Sequence, residues 1–176
     1  YISTMYKAGV DEISIYFDSD ERIHNLSRSI NELMPGFEVL SQNENNLLVK
    51  DLAYESNPDF DSVLRRVFLL TISMSENVLE ILLKMGKGKT ISKEEIDTTL
   101  GFEKTNNRLC NYCMRFLNKY EYKKYKNTNF VYAMIYELER IADELKFLCL
   151  YLKDMAEAEK TVKLKSKQTK EIFREM

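Results

Sequence analysis

The chain has 176 residues, enough for one globular domain or two small ones, and its formal net charge of −2 excludes nucleic-acid binding by bulk charge. Hydrophobic residues make up 44% and charged residues 31%, while 5 Gly and 2 Pro favour long helices. Three Cys fit the reducing cytoplasm, and no apolar run reaches the roughly 18 residues of a membrane span. The sequence opens at Tyr1 without a signal peptide, and we expect it to be a fragment of a longer cytoplasmic protein.

Residues 1–57 predict a small α/β segment. Gly9 is placed to end a short helix, and the alternation of Ile13, Ile15 and Phe17 predicts a strand. A helix capped by Asp18 or Ser19 then runs to Pro35-Gly36. Two short strands follow it, Phe37 to Val39 and Leu47 to Val49, with a turn at Asn43 to Asn46. The result is a β-α-β-β unit, small for an independent domain.

Residues 58–158 predict an antiparallel three-helix bundle. The start signals are an N-cap at Asn57 before Pro58 and a capping box of Ser92 with Glu95. Apolar residues then keep the four-three spacing of a heptad seam, so we expect helices at about 59–85, 93–122 and 129–157. Residues 159–176 predict a basic C-terminal helix or tail, which makes the whole fold mainly α. The predicted core comprises Leu64, Val67, Met74, Val78, Met114, Leu117, Leu138 and Leu145.

Motifs typical of enzymes are weak in this sequence. Gly86 to Thr90 ends like a phosphate-binding loop, but it follows a helix rather than a strand and lacks the first glycine, so we interpret it as a connector. Cys110 and Cys113 form a CxxC without a second ligand pair, which favours buried thiols over a zinc site. With one histidine and no nucleophile beside a base, we expect no enzymatic activity.

Acidic and amide side chains interrupt the heptad seam. Glu103 and Asn107 are four residues apart on the second predicted helix, and Glu139 and Asp143 repeat that spacing on the third. Each pair projects from one helix face, so the two pairs can converge. They then either bind a hard cation or form interhelical ion pairs. The arginines considered for those pairs are Arg108, Arg115 and Arg140.

The same residues resemble a known family. Leu138 to Asp143, Leu-Glu-Arg-Ile-Ala-Asp, resembles the LERI(G/A)D signature of the PhoU family of phosphate-uptake regulators, and Glu103 to Leu109 resembles its second-helix pattern, with Arg115 seven residues after Arg108. Residues 6–11 and 36–39 are similar to the middle segment of archaeal members. Those members carry an AbrB-type DNA-binding domain ahead of it, which nothing here resembles. The resemblance covers roughly residues 1–157.

The resemblance implies a three-helix bundle whose acidic motifs hold metal. Residue by residue, it assigns Glu103, Glu139 and Asp143 as ligands of iron, zinc or magnesium, with Asn107 as a fourth. Two positions depart from the family pattern: Asn107 stands for Asp, and Glu144 stands where His is common. These departures favour a metal-free bundle, in which an arginine of another helix balances the carboxylates. The candidates for that role are Arg65, Arg66, Arg108 and Arg115.

By the same resemblance, we expect a regulator of phosphate uptake or phosphate-dependent signalling. It would contact a phosphate transporter or sensor-kinase component, and would be at most peripheral to the membrane. Because the family normally has two bundles and this chain has one, we expect a homodimer. The alternative is a nucleic-acid-binding module that uses a missing N-terminal domain or the basic, tyrosine-rich residues 115–126 and the basic residues 159–176.

Overall fold

The structure is a computed structural model that describes residues 1–17, 21–43, 45–52, 59–120 and 128–172. It confirms a mainly α fold in which a small antiparallel sheet precedes a helical bundle. None of the described helices combines the length and the hydropathy that a membrane crossing requires. The elements in chain order are α1 (Ile2–Lys7), β1 (Glu12–Tyr16), α2 (Glu21–Leu33), β2 (Phe37–Asn43), β3 (Asn46–Asp51), α3 (Phe60–Gly86), α4 (Lys93–Lys119) and α5 (Thr128–Ile172).

The N-terminal α/β unit has the predicted β-α-β-β order, preceded by α1. Its three strands are antiparallel in the order β1-β3-β2, so Val49 of the central strand lies opposite Ile13 on one side and Val39 on the other. Gly9 has φ +92°, a conformation that suits glycine at the end of α1. One buried cluster holds the unit together: Tyr6, Ile13, Ile30, Met34, Phe37, Leu47 and Val49.

The bundle is built from α3, α4 and α5, which all pack against one another. One cluster joins the start of α3 to the end of α4 and the start of α5, through Val67, Met114 and Ile135. A second cluster joins the end of α3 to the start of α4 and the later part of α5, through Ile81, Ile96 and Cys149. The helices therefore run up, down and up, as the heptad spacing predicts.

The structure confirms the predicted N-cap of α4 and shows a different N-cap residue from the predicted one at the start of α3. Ser92 and Glu95 form the predicted capping box at the start of α4. At the start of α3 the cap is Asp59, whose carboxylate accepts the Asp61 N–H at 3.2 Å. The predicted caps at Asn57 and at Asp18 or Ser19 lie outside the described residues.

Two features of the bundle differ from the predictions. The third bundle helix does not end near residue 157, because α5 continues through the 159–176 segment as far as Ile172. At 1.5 Å per residue its 45 residues span about 68 Å, against about 40 Å for α3. The buried members of the predicted core lie in both clusters, except Met74, which is buried outside them, and Leu138 and Leu145 are only partly buried.

Candidate functional site

Three carboxylates of the resembling motifs come together between α4 and α5. Glu103 is buried, and its Oε1 accepts a hydrogen bond from Lys146 Nζ at 2.9 Å. The same ammonium donates to Asp143 Oδ1. Glu139, Asp143 and Lys146 follow at i, i+4 and i+7, so they share one face of α5. We call Glu103, Glu139, Asp143 and Lys146 the acidic cluster.

The pKa shifts show that these charges act on one another. Burial raises the pKa of the Glu139 carboxyl, the nearby carboxylates of Asp143 and Glu103 raise it further, and Lys7 and Lys146 oppose the rise. Burial alone would lower the pKa of Lys146, but its hydrogen bonds to Asp143 and Glu103 raise it overall. Lys146 is therefore held in its charged form, while ionised Glu139 is disfavoured.

The arrangement does not fit the metal site that the resemblance implies. The Lys146 ammonium lies between Glu103 and Asp143, where a cation shared by α4 and α5 would have to lie. Within the described part of the chain, no group of three or more His, Cys, Asp or Glu side chains is placed to hold a metal ion. A lysine of α5 supplies the positive charge that we expected from an arginine of another helix.

The arginines named for that role lie elsewhere. Arg65, Arg66 and Arg108 are exposed. Arg140 pairs at the surface with Glu137, one turn before it. The reason is helical geometry: Lys146 is three residues after Asp143 and reaches the shared face, whereas Arg140 points about 100° away from Glu139.

Asn107 belongs to a different hydrogen-bond network from the acidic cluster. It is partly buried, and its Oδ1 accepts from Asn111 Nδ2 at 3.3 Å. Asn111 Nδ2 also donates to the Leu33 carbonyl at the end of α2, at 3.2 Å. Among the described contacts, none joins Asn107 to Lys146. The structure therefore brings together three of the four predicted site residues.

Asn106 is a fully buried amide of α4 that the sequence analysis missed. Its Nδ2 donates to Thr71 Oγ1 at 2.8 Å and to the Val67 carbonyl at 3.2 Å, and its Oδ1 accepts from Cys110 Sγ. Asn106 lies three residues after Glu103 and four before Cys110. Between Glu103 and Cys110, the buried position of the heptad can lie either three or four residues after Glu103. The spacing alone therefore did not distinguish Asn106 from Asn107.

Arg115 forms a second polar site, between α4 and the α/β unit. Its side chain is 5% exposed, and its guanidinium lies 5.0 Å from the ring centres of Tyr6 and Phe37. It donates to the carbonyls of Tyr6 and Val10 and to the carboxylates of Asp11 and Asp51. We call this group the arginine site. The sequence signal was present, since both Arg115 and residues 6–11 carry the family resemblance, but nothing in the sequence paired them.

Lys119, one turn after Arg115, completes the arginine site. It forms ion pairs with Asp11 and Asp51. Its hydrogen bond is the largest contribution to the lowered pKa of Asp11, and the charge of Arg115 adds to it. Two of the basic residues in the predicted nucleic-acid patch, Arg115 and Lys119, are thus paired within the chain. Residues 121–126 of that patch lie outside the described residues.

The thiols and the glycine-rich connector behave as predicted. Cys110, Cys113 and Cys149 are buried and free. Burial raises the pKa of Cys113 to about 12, so this thiol stays protonated and unreactive at neutral pH. Gly86 ends α3 and α4 begins at Lys93, which makes the intervening residues a helix-to-helix connector.

Comparisons with protein-family models, with curated proteins and with solved structures find no match for this chain.

Proposed function

We propose that this chain is a regulatory module of the PhoU kind, which acts in phosphate uptake or phosphate-dependent signalling by contact with other proteins and catalyses no reaction. The observation that carries the proposal is the acidic cluster. The carboxylates that the resemblance selects, Glu103, Glu139 and Asp143, meet at one place in a three-helix bundle. Residues separated by up to 40 positions in the sequence therefore act on one another there.

Glu139 is the residue we assign to partner contact. Three carboxylates and one ammonium leave the acidic cluster with an excess of negative charge when all are ionised. Lys146 bonds to Glu103 and Asp143, whereas no hydrogen bond to the Glu139 carboxylate occurs within the described ranges. A lysine or arginine of a transporter or sensor-kinase component would supply the missing charge and restore the pKa of Glu139.

The nucleic-acid alternative has weaker support. Arg115 and Lys119 are paired with Asp11 and Asp51, so they are not available to phosphates. The net charge of −2 also argues against nucleic-acid binding by bulk charge. Binding to random single-stranded DNA that weakens steeply with salt would favour this alternative over the regulatory function.

The test is phosphate uptake in the source cells with the gene deleted and then restored. We expect deletion to abolish the difference in radiolabelled phosphate uptake between phosphate-rich and phosphate-poor medium, and wild type to restore it. Glu139→Gln should fail to restore it. Arg140→Gln is the matched control, because Arg140 is adjacent in sequence but pairs only with Glu137 among the described ion pairs. An unchanged uptake response in the deletion strain would refute the proposal.

A further inference from the structure

The sheet of the α/β unit has an open edge at β1. The strand order β1-β3-β2 gives β1 one strand neighbour within the described residues, which is β3. At the start of β1 the Asp51 N–H donates to the Asp11 carbonyl at 2.9 Å, and at its end the Phe17 N–H donates to the Asn45 carbonyl at 3.0 Å. Because the backbone groups of an antiparallel strand alternate in direction, the odd-numbered residues bond to β3 and the even-numbered residues point outward.

The outward N–H and C=O groups are those of Glu12, Ser14 and Tyr16, and we call them the β1 edge. The Val10 carbonyl follows the same alternation, since it accepts from Arg115 at 2.7 Å and not from β3. Arg115 therefore closes one end of the edge, and the next three outward residues have no strand partner in the described part of the chain. Their side chains are exposed, so another chain can approach them.

The other edge strand of the sheet is less suited to pairing. β2 carries a bulge between Val39 and Ser41, where its register with β3 shifts. A bulge twists an edge strand and disfavours its pairing with another chain. β1 instead pairs with β3 in unbroken register from Glu12 to Tyr16, and it contains no proline or lysine. It therefore keeps the regular geometry that an added strand requires.

A row of charges across the exposed face of the sheet indicates what such a strand carries. Glu38, Lys50 and Glu12 lie side by side on β2, β3 and β1. Lys50 forms an ion pair with Glu12 at 3.1 Å. Opposite charges on neighbouring strands stabilise a sheet and like charges destabilise it. The row alternates negative, positive and negative, so a basic residue continues it beyond Glu12.

The opposite face of the sheet is apolar beside the same edge. Val39, Val49 and Ile13 form one row across the three described strands. Ile15 lies two residues further along β1 and is only partly buried. Aliphatic side chains on an adjacent strand, opposite Ile13 and Ile15, would extend this apolar face and cover what remains exposed.

We infer that the β1 edge binds an extended segment of another protein as an added antiparallel strand. That segment has aliphatic residues opposite Ile13 and Ile15 and a lysine or arginine opposite Glu12. Its main chain bonds to the outward groups of Glu12, Ser14 and Tyr16, and its alternating side chains provide the selectivity. A second copy of β1 fits less well, because antiparallel pairing centred on Ser14 sets Tyr16 against Glu12 in place of a cation.

The probe is a fluorescently labelled peptide with the sequence of residues 45–52, Asn-Asn-Leu-Leu-Val-Lys-Asp-Leu. It has the required pattern, since in the register of β3 its Lys lies opposite Glu12 and its Val and Leu lie opposite Ile13 and Ile15. We expect saturable binding to the full chain in fluorescence anisotropy. Hydrogen exchange followed by NMR should show the Ser14 and Tyr16 N–H groups slowed about tenfold or more by saturating peptide. Protection of these outward groups distinguishes binding at the edge from replacement of β3.

Ser14→Pro tests the main-chain bonds. It removes an outward N–H and no hydrogen bond to β3, so the dissociation constant of the peptide should rise about tenfold or more. Ser14→Ala keeps the N–H and is the matched control, which should bind like wild type. Circular dichroism of each variant tests whether it is folded.

Glu12→Lys tests the register through side chains alone, so the inference stays testable if Ser14→Pro does not fold. It should weaken binding about threefold or more, because it sets a lysine against the lysine of the peptide. A peptide with Glu in place of that Lys should bind Glu12→Lys better than it binds wild type. Equal preference of both peptides for both proteins would contradict the antiparallel register.

The absence of saturable binding at about 1 mM peptide would overturn the inference. So would equal binding by folded Ser14→Pro and wild type, because the edge bonds would then not contribute. Wild-type dimers that dissociate on Ser14→Pro substitution in sedimentation equilibrium would assign the edge to a second copy and would also overturn it. These measurements do not involve the acidic cluster, so their outcome is independent of the proposed regulatory function.

Discussion

Lys146 determines the electrostatics of the acidic cluster through its place on the helix. Three residues after Asp143, it reaches both that carboxylate and Glu103 on α4. The positive charge thus comes from the same helix as two of the carboxylates, which removes the need for an arginine from elsewhere. Glu139 is left with the raised pKa, because burial and two carboxylates act on it together.

Glu139→Gln should stabilise the protein at neutral pH. The pKa of Glu139 is raised above 4.5 in the folded state, so the folded protein binds the proton more tightly than the unfolded chain does. Ionised Glu139 therefore costs stability above its folded pKa, and this cost disappears below about pH 4.5. Urea unfolding at pH 7 should show a more stable variant, with the advantage lost at pH 4. Glu137→Gln, an exposed change on the same helix, should give no such pH-dependent gain.

Metal analysis of protein purified without chelator should find no stoichiometric iron, zinc or magnesium, because the Lys146 ammonium takes the place of a cation. Asp143→Ala should also be metal-free but less stable, by about 1 kcal/mol, since Lys146 loses a charged hydrogen-bond partner at a partly exposed site. Thermal unfolding measures that loss. Stoichiometric metal in the wild type that disappears in Asp143→Ala would contradict this prediction.

At the scale of elements, α4 contacts α3, α5 and the α/β unit, and each of these contacts includes a different buried polar side chain of α4. Asn106 fixes the register of α4 against α3, Glu103 meets α5 through Lys146, and Arg115 binds the α/β unit. Buried polar groups must find partners, so each contact specifies one relative placement of two elements. Contacts between apolar heptad residues alone are compatible with several relative placements of the helices.

Arg115→Met should loosen the α/β unit from the bundle. It removes the guanidinium from the carbonyls of Tyr6 and Val10 and leaves Lys119 paired with Asp11 and Asp51, so we expect a loss of about 1–3 kcal/mol, the range for a buried polar group that loses its partner. Denaturant unfolding measures the total, and hydrogen exchange should show earlier exposure of α1 and β1 than of α3. Arg108→Met, an exposed change on the same helix, should cost under about 0.5 kcal/mol. Equal losses for both variants would contradict the role of Arg115.

At the scale of the whole molecule, the α/β unit and the bundle should unfold together. Among its described residues the core of the unit has seven buried apolar side chains, and its polar contacts with α4 involve Asn111, Arg115, Asn118 and Lys119. Calorimetry should therefore show one transition, with equal calorimetric and van't Hoff enthalpies. A peptide of residues 1–52 should stay unfolded. Two separate transitions, or a folded peptide, would show that the two parts are independent.

The elements and their order were accessible from the sequence, because they follow from local physics. The four-three spacing of apolar residues predicts α3, α4 and α5, and Ser92 with Glu95 predicts the start of α4, where each interaction joins residues three or four apart. The i, i+4 spacing of the acidic pairs likewise predicted that Glu103, Glu139 and Asp143 lie close together. The spacing is compatible with either Asn106 or Asn107 in the buried seam of α4, so local interactions do not determine which of the two is buried.

Only the tertiary structure determines which residues far apart in the sequence contact one another. Arg115 meets Asp11 across 104 residues and Asp51 across 64, and only the docking of the α/β unit on α4 brings them together. The exposure of apolar side chains such as Ile72 on α3 and Leu148 on α5 is also known only after packing, because the heptad pattern shows which residues of each helix are apolar but not which of them a neighbour covers. Burial is a property of three helices together, so no single helical segment specifies it.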